Sequence, residues 1–176
     1  INRKYLPLIV TIGLFAFAFL MGSVLYPGFL SLQVFLNLFI DNAFLCVAAV
    51  GMTFVILSGG IDLSVGSIIA LTTMLSAYLL EVAGWSPAIV IPTVLLTGVL
   101  FGCGMGCLIH FFKIQPFIIT LAGMFLARGL CYVISIQTIT ITNEFYRQVS
   151  QYRIPLPGGN FISINVIIFI VVVAVG

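Results

Sequence analysis

The sequence predicts an all-α, polytopic bundle of membrane-spanning helices, and three observations predict it. The chain of 176 residues is 62% hydrophobic and only 6% charged, whereas a soluble domain carries about 25% charged residues. Its apolar residues form runs that approach the ~20 residues a helix needs to cross a bilayer. Turn-forming and polar residues separate these runs. The chain therefore has too few polar side chains to cover itself in water and is expected to lie in lipid.

Six candidate spans follow one another along the chain. The first begins after Arg3 and Lys4. Because this run is long enough to span and no A-x-A cleavage site follows it, we expect a retained helix rather than a signal peptide. The predicted spans cover residues 6–25, 43–57, 64–80, 88–109, 117–135 and a sixth from residue 161 onward.

Two connecting segments have features of their own. Residues 29–40 are apolar with polar interruptions, so we expect an interfacial helix that leads into the second span. Asp41 and Asn42 are residue types that favour an N-cap, and we predict that they cap that span. Residues 136–160 form the longest polar region, in which the alternation of QTITIT, residues 137–142, allows a short strand.

Basic residues in the short loops predict the orientation of the chain. With the N-terminus inside, Arg3, Lys4 and Lys113 lie inside, whereas Arg147 and Arg153 lie outside. The balance of three against two favours a cytoplasmic N-terminus and places the long polar region on the outer side.

The stretch GMTFVILSGGIDLSVGS, residues 51–67, breaks the membrane region with two glycines and an aspartate. As helices, the second and third spans cover only about 24 and 26 Å, whereas the hydrocarbon core is about 30 Å thick. The break at Gly59 and Gly60 is therefore expected at or inside the inner edge of the membrane. Glycine ends a helix at low cost, and Asp62 or Ser64 is predicted to cap the next helix.

Two interpretations of Asp62 stay open. In the first, the carboxylate is a helix cap at the inner interface and has no ligand role. In the second, Gly59, Gly60, Asp62 and Ser64 line a solute path, because non-helical backbone at this depth needs protein or a water-filled cavity around it. The two are compatible, since a cap also shapes the path.

Three stretches carry a resemblance to a known family. GMTFVILSGGIDLSVGS, the block PFIITLAGMFLARG at residues 116–129 and the short DNAF at residues 41–44 resemble the permease subunits of bacterial sugar ABC importers. The likeness is to the ribose/galactose/xylose branch, and within it to permeases of the galactofuranose type. It runs along essentially the whole chain.

The resemblance implies a permease of about ten spans, of which residues 1–176 form an N-terminal portion of the transmembrane domain. It implies a path for a ribose- or galactofuranose-like monosaccharide in the bacterial inner membrane, at the interface with a second permease subunit, identical or paralogous. The other implied partners are cytoplasmic ATP-binding subunits and an extracytoplasmic sugar-binding protein. The chain itself is expected to bind no cofactor, since ATP and Mg²⁺ belong to the ATPase subunits; it contains no G-x-x-x-x-G-K-[ST] phosphate loop.

Two further groups of residues are singled out within the spans. Gly98, Gly102 and Gly106 share one face of the fourth span, where small residues allow another helix to approach closely. Arg128 lies about 18 Å into the fifth span, and a cation at that depth needs a partner. Asp41 is the predicted partner, and a role of Arg128 in the solute path remains the alternative.

The 136–160 region has two interpretations. It is either a solvated connector or, as the resemblance implies, a docking surface for the sugar-binding protein.

The four cysteines lie in apolar segments without histidine or acidic partners, so we predict packing roles and no metal site. They are Cys46, Cys103, Cys107 and Cys131.

Other functions are disfavoured by the sequence. An intramembrane aspartyl protease needs two carboxylates at one site, but Asp41 and Asp62 lie about 30 Å apart along the helix. Ser64 and His110 have no fixed geometry that indicates a catalytic dyad. The net charge of +2 without a basic aromatic patch argues against nucleic-acid binding. A passive channel is the remaining alternative, although the chain shows no charged ring or filter-like repeat.

Overall fold

The computed structural model of the protein describes residues 5–175 and shows a helical membrane protein with one small hairpin. Four helices are long and apolar enough to cross a membrane, at Leu6–Leu25, Leu32–Leu57, Pro87–Phe112 and Pro116–Ile134, and two apolar helices are shorter, at Val65–Glu81 and Ile164–Val175. The predicted polytopic helical fold is thereby confirmed. The elements are α1 Leu6–Leu25, α2 Leu32–Leu57, α3 Val65–Glu81, α4 Pro87–Phe112, α5 Pro116–Ile134, α6 Glu144–Gln151, β1 Arg153–Pro155, β2 Phe161–Ser163 and α7 Ile164–Val175.

Helices α3, α4 and α5 form the central packing unit. Helix α3 contacts both α4 and α5, whereas α2 packs mainly on α7. Helices α4 and α5 each begin with proline, at Pro87 and Pro116, because the first turn of a helix does not use the N–H that proline lacks. These three helices match the predicted third, fourth and fifth spans to within one helical turn.

Helix α1 has no buried residue. The segment that follows it folds back onto it through an aromatic contact. The rings of Phe19 and Phe29 lie 5.1 Å apart between centroids. Gly22 makes room for this contact, because a Cβ atom there would lie only 2.9 Å from the Phe29 ring. The rest of the α1 surface is apolar and exposed, as expected for a helix that contacts lipid or other protein.

Helix α2 corrects two predictions. It runs without a break from Leu32 to Leu57 and its N-cap is Ser31, whose Oγ accepts from the backbone N–H of Val34 at 3.2 Å. The prediction of a separate interfacial helix capped by Asp41 and Asn42 is wrong, because both residues lie inside α2. At 26 residues the helix is about 39 Å long, so the second span is not short.

The polar residues near the start of α2 are satisfied by a distant segment. The Gln33 side chain accepts from the Phe161 N–H at 2.8 Å and donates to the Phe161 carbonyl at 3.2 Å. It also donates to Asn37 Oδ1 at 2.9 Å. These contacts tie α2 to the strand that precedes α7, so the polar interruptions do not end the helix.

The strand prediction for residues 137–142 is also wrong. Thr142 donates to the Glu81 carboxylate instead of to a neighbouring strand. The observed strands are β1 and β2, paired antiparallel with Ile154 opposite Ile162. Their turn contains Gly158 and Gly159, both with positive φ. The sixth helix of the membrane region therefore begins at residue 164, after β2, rather than at residue 161.

Candidate functional site

The turn between α2 and α3 begins with a Schellman motif. The Gly60 N–H donates to the Val55 carbonyl and the Gly59 N–H donates to the Ile56 carbonyl, both at 3.0 Å. These bonds satisfy two carbonyl groups that the end of a helix leaves without partners. Gly59 has φ +78°, a left-handed conformation that side chains with a Cβ atom disfavour. The two glycines thus end α2, as the sequence predicts.

The Asp62 carboxylate closes the other side of the turn. Its Oδ1 atom accepts from the Ser64 backbone N–H at 2.7 Å and from the Ser64 hydroxyl at 2.6 Å. Ser64 is the N-cap of α3 and is fully buried, and its own hydroxyl makes no capping bond to the helix. A carboxylate beside the first turn is favourable because the N–H groups there carry partial positive charge. The cap is therefore Asp62 acting through Ser64.

Helix α5 holds the middle of the turn. The Thr120 hydroxyl lies 3.1 Å from the Ile61 carbonyl and 2.8 Å from the Pro116 carbonyl, and it is positioned to donate to either. Thr120 itself is buried. Thr120 lies about 6 Å along α5 from Pro116. The segment between α2 and α3 is therefore level with the end of the first helical turn of α5. Of the two helices beside the turn, α2 is long enough to span the membrane and α3 is shorter. The short α3 and the Thr120 contact are therefore the two observations that place the turn inside the membrane.

A cavity of about 500 Å³ opens beside the turn. The turn with Asp62 forms one side of it, and two glycines and two apolar side chains of α4 form another. Both hydrogen bonds that the described residues give this carboxylate fall on Oδ1, so Oδ2 remains available to a ligand. The cavity is lined by Val55 of α2, by Ser58, Gly59, Gly60, Ile61 and Asp62 of the turn, by Gly102, Met105, Gly106 and Ile109 of α4, and by Pro116 and Thr120 of α5.

A second cavity of about 510 Å³ lies between α4 and α5, and its chemistry differs. Its lining is apolar and includes Leu100, Leu108 and Leu126. No side chain in that lining presents a charge or a hydroxyl. Because a hydrophilic solute needs hydrogen-bonding partners when it leaves water, the Asp62 cavity is the candidate functional site.

The glycine stripe of α4 lies partly in the site. Gly102 and Gly106 line the Asp62 cavity, whereas Gly98 does not. Within residues 5–175, no helix is in direct contact with the three glycines, because a Cβ atom at each would meet nothing within 4 Å. Close packing of the stripe against another helix stays a prediction.

The close approach of α4 and α5 occurs at Gly123, which the sequence analysis did not single out. The Met105 side chain lies where a Cβ atom on Gly123 would be, and both residues are buried. Gly123 belongs to the block PFIITLAGMFLARG. Its spacing from Thr120 and Ala127, both buried on the same helix, is the sequence signal that identifies this face.

Arg128 has a different partner from the predicted one. Its Nε donates to Ser67 Oγ at 3.2 Å. The predicted ion pair with Asp41 is not formed in the described part of the chain, since Asp41 lies exposed on α2, which packs on α7, whereas α5 packs on α3. Depth along the chain suggested the pair, but the two helices are not neighbours.

The long polar region is anchored to the far end of α3. The Glu81 carboxylate accepts from the Thr142 N–H and hydroxyl, each at 2.6 Å, and from the Asn143 N–H at 3.0 Å. Tyr146 of α6 packs on the small buried cluster that contains Leu79 and Val90. Helix α3 therefore connects the Asp62 turn at one end with an anchored surface segment at the other.

Comparison with known proteins identifies the family of this chain. Residues 34–176 match the family described as the permease component of branched-chain amino acid transport systems. The chain belongs to this permease family. Its members are transport components rather than enzymes, and a multi-pass helical chain agrees with that membership.

Several relatives of this permease are named as sugar transporters or ABC permeases. The chain is 47% identical to the inner membrane ABC transporter permease protein YjfF of Escherichia coli (strain K12) over 99% of its length and 53% of the relative. It is 42% identical to the fructose import permease protein FruG of Bifidobacterium longum (strain NCC 2705), over 82% of the chain and 43% of the relative.

A third relative is the galactofuranose transporter permease protein YtfT of Escherichia coli (strain K12), 44% identical over 54% of the chain and 28% of the relative. These matches confirm the resemblance to sugar ABC permeases. The chain spans about half the length of the first of these relatives. No solved structure shows significant similarity to it.

Proposed function

We propose that this permease provides the membrane path of an ATP-binding-cassette importer for a monosaccharide of the ribose or galactofuranose kind. The observation that carries the proposal is the cavity beside Asp62, in which a carboxylate and open backbone lie inside an otherwise apolar bundle. The relatives named for fructose and galactofuranose import support a sugar as the solute.

The chemistry of the cavity suits a polyol. A sugar carries many hydroxyl groups, each of which loses hydrogen bonds to water on entering the membrane. Asp62 Oδ2 is an ionised acceptor, and hydrogen bonds to charged groups are worth about 1.5–3 kcal/mol. The glycines of the turn and of α4 carry no side chain that would fill the space. The cavity volume of about 500 Å³ falls in the range of roughly 300–1,000 Å³ that is common for small-molecule sites.

The partners belong to the same proposal. Separate cytoplasmic subunits bind ATP and Mg²⁺ and drive transport, and an extracytoplasmic protein delivers the sugar. A second permease subunit, identical or paralogous, completes the path. The N-terminus lies in the cytoplasm, so that the 136–160 region faces outward and offers its anchored helix α6 as the docking surface.

Reconstitution of the whole transporter tests this function. Vesicles that contain the permease with its ATPase and binding protein are supplied with ATP, and uptake of labelled ribose, fructose, xylose and galactofuranose is measured. We expect ATP-dependent uptake of at least one of these sugars, and none without the binding protein. Uptake that proceeds equally without ATP would identify a passive channel instead.

Two substitutions test whether Asp62 contacts the sugar in addition to capping α3. Asp62→Asn keeps an oxygen that caps α3 as well as aspartate does but removes the charge that the sugar meets. We expect it to lower the uptake rate about tenfold, the equivalent of about 1.4 kcal/mol in the barrier. Asp41→Asn is the matched control, because Asp41 is exposed on α2 outside the cavity. Equal uptake by both variants would leave Asp62 with a capping role only.

A further inference from the structure

Arg128 is placed deep in α5 and directed away from the nearer end of the helix. It lies about 18 Å from the start of α5 at Pro116 and about 9 Å from the end at Ile134. Its Nε donates to the hydroxyl of Ser67, which is in the first turn of α3 and 3% exposed. Side chains on a helix lean toward its N-terminus. The guanidinium therefore points toward the Asp62 turn instead of snorkelling to the nearer surface.

Most of the hydrogen-bonding capacity of this guanidinium is unused within residues 5–175. An arginine side chain has five N–H donors, and the described contact with Ser67 takes one of them. The Arg128 residue is exposed in this chain. A cation that faced hydrocarbon from this position would be strongly disfavoured, and intramembrane charges face protein or a water-filled cavity. The chemistry of Arg128 thus argues that its face of α5 is not in contact with lipid.

Two faces of helix α5 flank the side that packs on α3. One carries the exposed Arg128 and the half-buried Leu121, and the other carries the exposed Leu126. At 100° per residue, Leu126 lies about 160° around the helix from Arg128, and it lines the apolar groove between α4 and α5. Leu121 lies within about 20° of Arg128, because seven residues make nearly two turns. Leu121 therefore reports on the face that carries Arg128, and Leu126 reports on the face in the apolar groove.

Two contacts relate Arg128 to the Asp62 turn along helix α5. Helix α5 contacts the Asp62 turn through Thr120 and Ile61, and it contacts α3 through Arg128 and Ser67. The second contact lies about 12 Å further along α5 than the first. Neither Ser67 nor Arg128 is in the lining of that cavity, so the pair is a separate position on the same helix.

We propose that the Arg128–Ser67 pair is a second sugar-binding position on the wetted face of α5, where the guanidinium donates to hydroxyl oxygens of the solute. The inference rests on the proposed sugar-import function and adds a residue that contacts the solute. Ser67 orients the guanidinium through Nε and leaves the remaining donors for the sugar.

Thiol labelling tests whether the Arg128 face is wetted, and it leaves Arg128 intact. In the whole transporter, every native cysteine of the permease is replaced, including the four in residues 1–176, and Leu121→Cys or Leu126→Cys is introduced. A membrane-impermeant thiol reagent is added to both sides of the membrane. We expect labelling of the Leu121→Cys protein, slowed by the transported sugar, and no labelling of the Leu126→Cys protein. Failure to label the Leu121→Cys protein, or equal labelling of both, overturns the proposal.

Uptake measurements test the contact with sugar. Arg128→Met keeps an unbranched apolar stem and removes all donors, and we expect it to raise KM and lower uptake about tenfold. Arg128→Lys keeps the charge and is expected to restore part of the uptake. If Arg128→Met takes up sugar with wild-type KM and rate, the sugar contact is refuted.

The two proposals fail in distinguishable ways. If the wild-type transporter takes up none of the sugars tested, the proposed function fails, while the labelling contrast between the two leucine positions still decides whether the Arg128 face is wetted. Comparable amounts of each variant in the membrane are verified before uptake is compared, so that a loss of insertion is not read as a loss of binding.

Discussion

The Asp62 Oδ1 atom accepts two hydrogen bonds from Ser64, from the backbone N–H at 2.7 Å and from the hydroxyl at 2.6 Å. One carboxylate oxygen thus fixes the turn in front of α3, and Ser64 is fully buried in the process. The geometry accounts for the two interpretations that the sequence left open. Capping occupies Oδ1, and the other oxygen stays available at the edge of the cavity.

Removing the Ser64 hydroxyl is expected to weaken the turn without abolishing it. Ser64→Ala eliminates the 2.6 Å bond and keeps the backbone bond to Asp62, so we expect a loss of about 1 kcal/mol in stability. Thermal unfolding in detergent measures the change. Ser58→Ala is the control, because the Ser58 hydroxyl bonds to its own helix at an exposed position, and it is expected to change stability by less than about 0.5 kcal/mol. Equal effects would contradict a special role of Ser64.

The left-handed conformation of Gly59 predicts a contrast between two adjacent glycines. Gly59 has φ +78°, and an L-residue there costs about 1–2 kcal/mol. A Cβ atom on Gly60 would meet Val55 Cγ1 at 3.4 Å, an ordinary contact, and Gly60 has no positive φ. We therefore expect Gly59→Ala to lower the free energy of unfolding by about 1–2 kcal/mol and Gly60→Ala to leave it nearly unchanged. The reverse order in unfolding experiments would show that the Schellman end is not maintained in the protein.

The contact between Gly123 and Met105 predicts a coupled pair. Gly123→Ala forces the Met105 side chain to move, and overpacking of this kind costs about 1–3 kcal/mol. Because methionine is flexible, we expect the lower part of that range. In a Met105→Ala background the same glycine substitution is expected to cost little, and the double-mutant cycle measures the coupling.

Gly129→Ala is the control for that cycle, since a Cβ atom there would meet nothing within 4 Å. It is expected to be neutral or slightly stabilising, because alanine favours a helix by about 1 kcal/mol over glycine. Additive effects of Gly123→Ala and Met105→Ala would indicate that α4 and α5 do not approach as closely as the structure shows.

The helical membrane fold and the broken turn were predictable because both are local properties of the chain. Apolar runs of sufficient length indicate spans, and paired glycines followed by aspartate indicate a helix end and a new cap. The start of α2 was not predictable in this way. Gln33 is satisfied by the Phe161 backbone, 128 residues away, and no local pattern shows that contact.

The partner of Arg128 was missed for a related reason. Depth estimates along single helices place Asp41 at a suitable height but contain no information on which helices are neighbours. Helix α5 packs on α3, so the guanidinium meets Ser67 instead. The Gly123 contact was missed for another reason. The spacing of Thr120, Gly123 and Ala127 indicates the buried face of α5, but it does not show that the Met105 side chain lies opposite Gly123.

The Glu81 carboxylate makes the strength of the surface anchor testable. Its three hydrogen bonds join the end of α3 to Thr142 and Asn143, and Asn143 Oδ1 in turn accepts from the Phe145 N–H at 3.1 Å, at the start of α6. Glu81→Ala removes all three acceptor contacts, so we expect amide hydrogen exchange in residues 142–151 to accelerate by about tenfold or more, because local opening no longer breaks these bonds.

Mass-spectrometric hydrogen exchange on the whole protein measures this effect, with Glu144→Gln as the matched control. That substitution changes an acidic residue of the same segment, in the first turn of α6, and leaves the Glu81 contacts in place. It removes only the interaction of a charge with the helix dipole, about 0.3–1 kcal/mol. If α6 exchanges equally fast in the two variants, packing of Tyr146 on Leu79 and Val90 holds the helix, and the carboxylate contributes little. Faster exchange in the Glu81→Ala protein alone would show that the end of α3 positions the outer surface that is proposed to receive the binding protein.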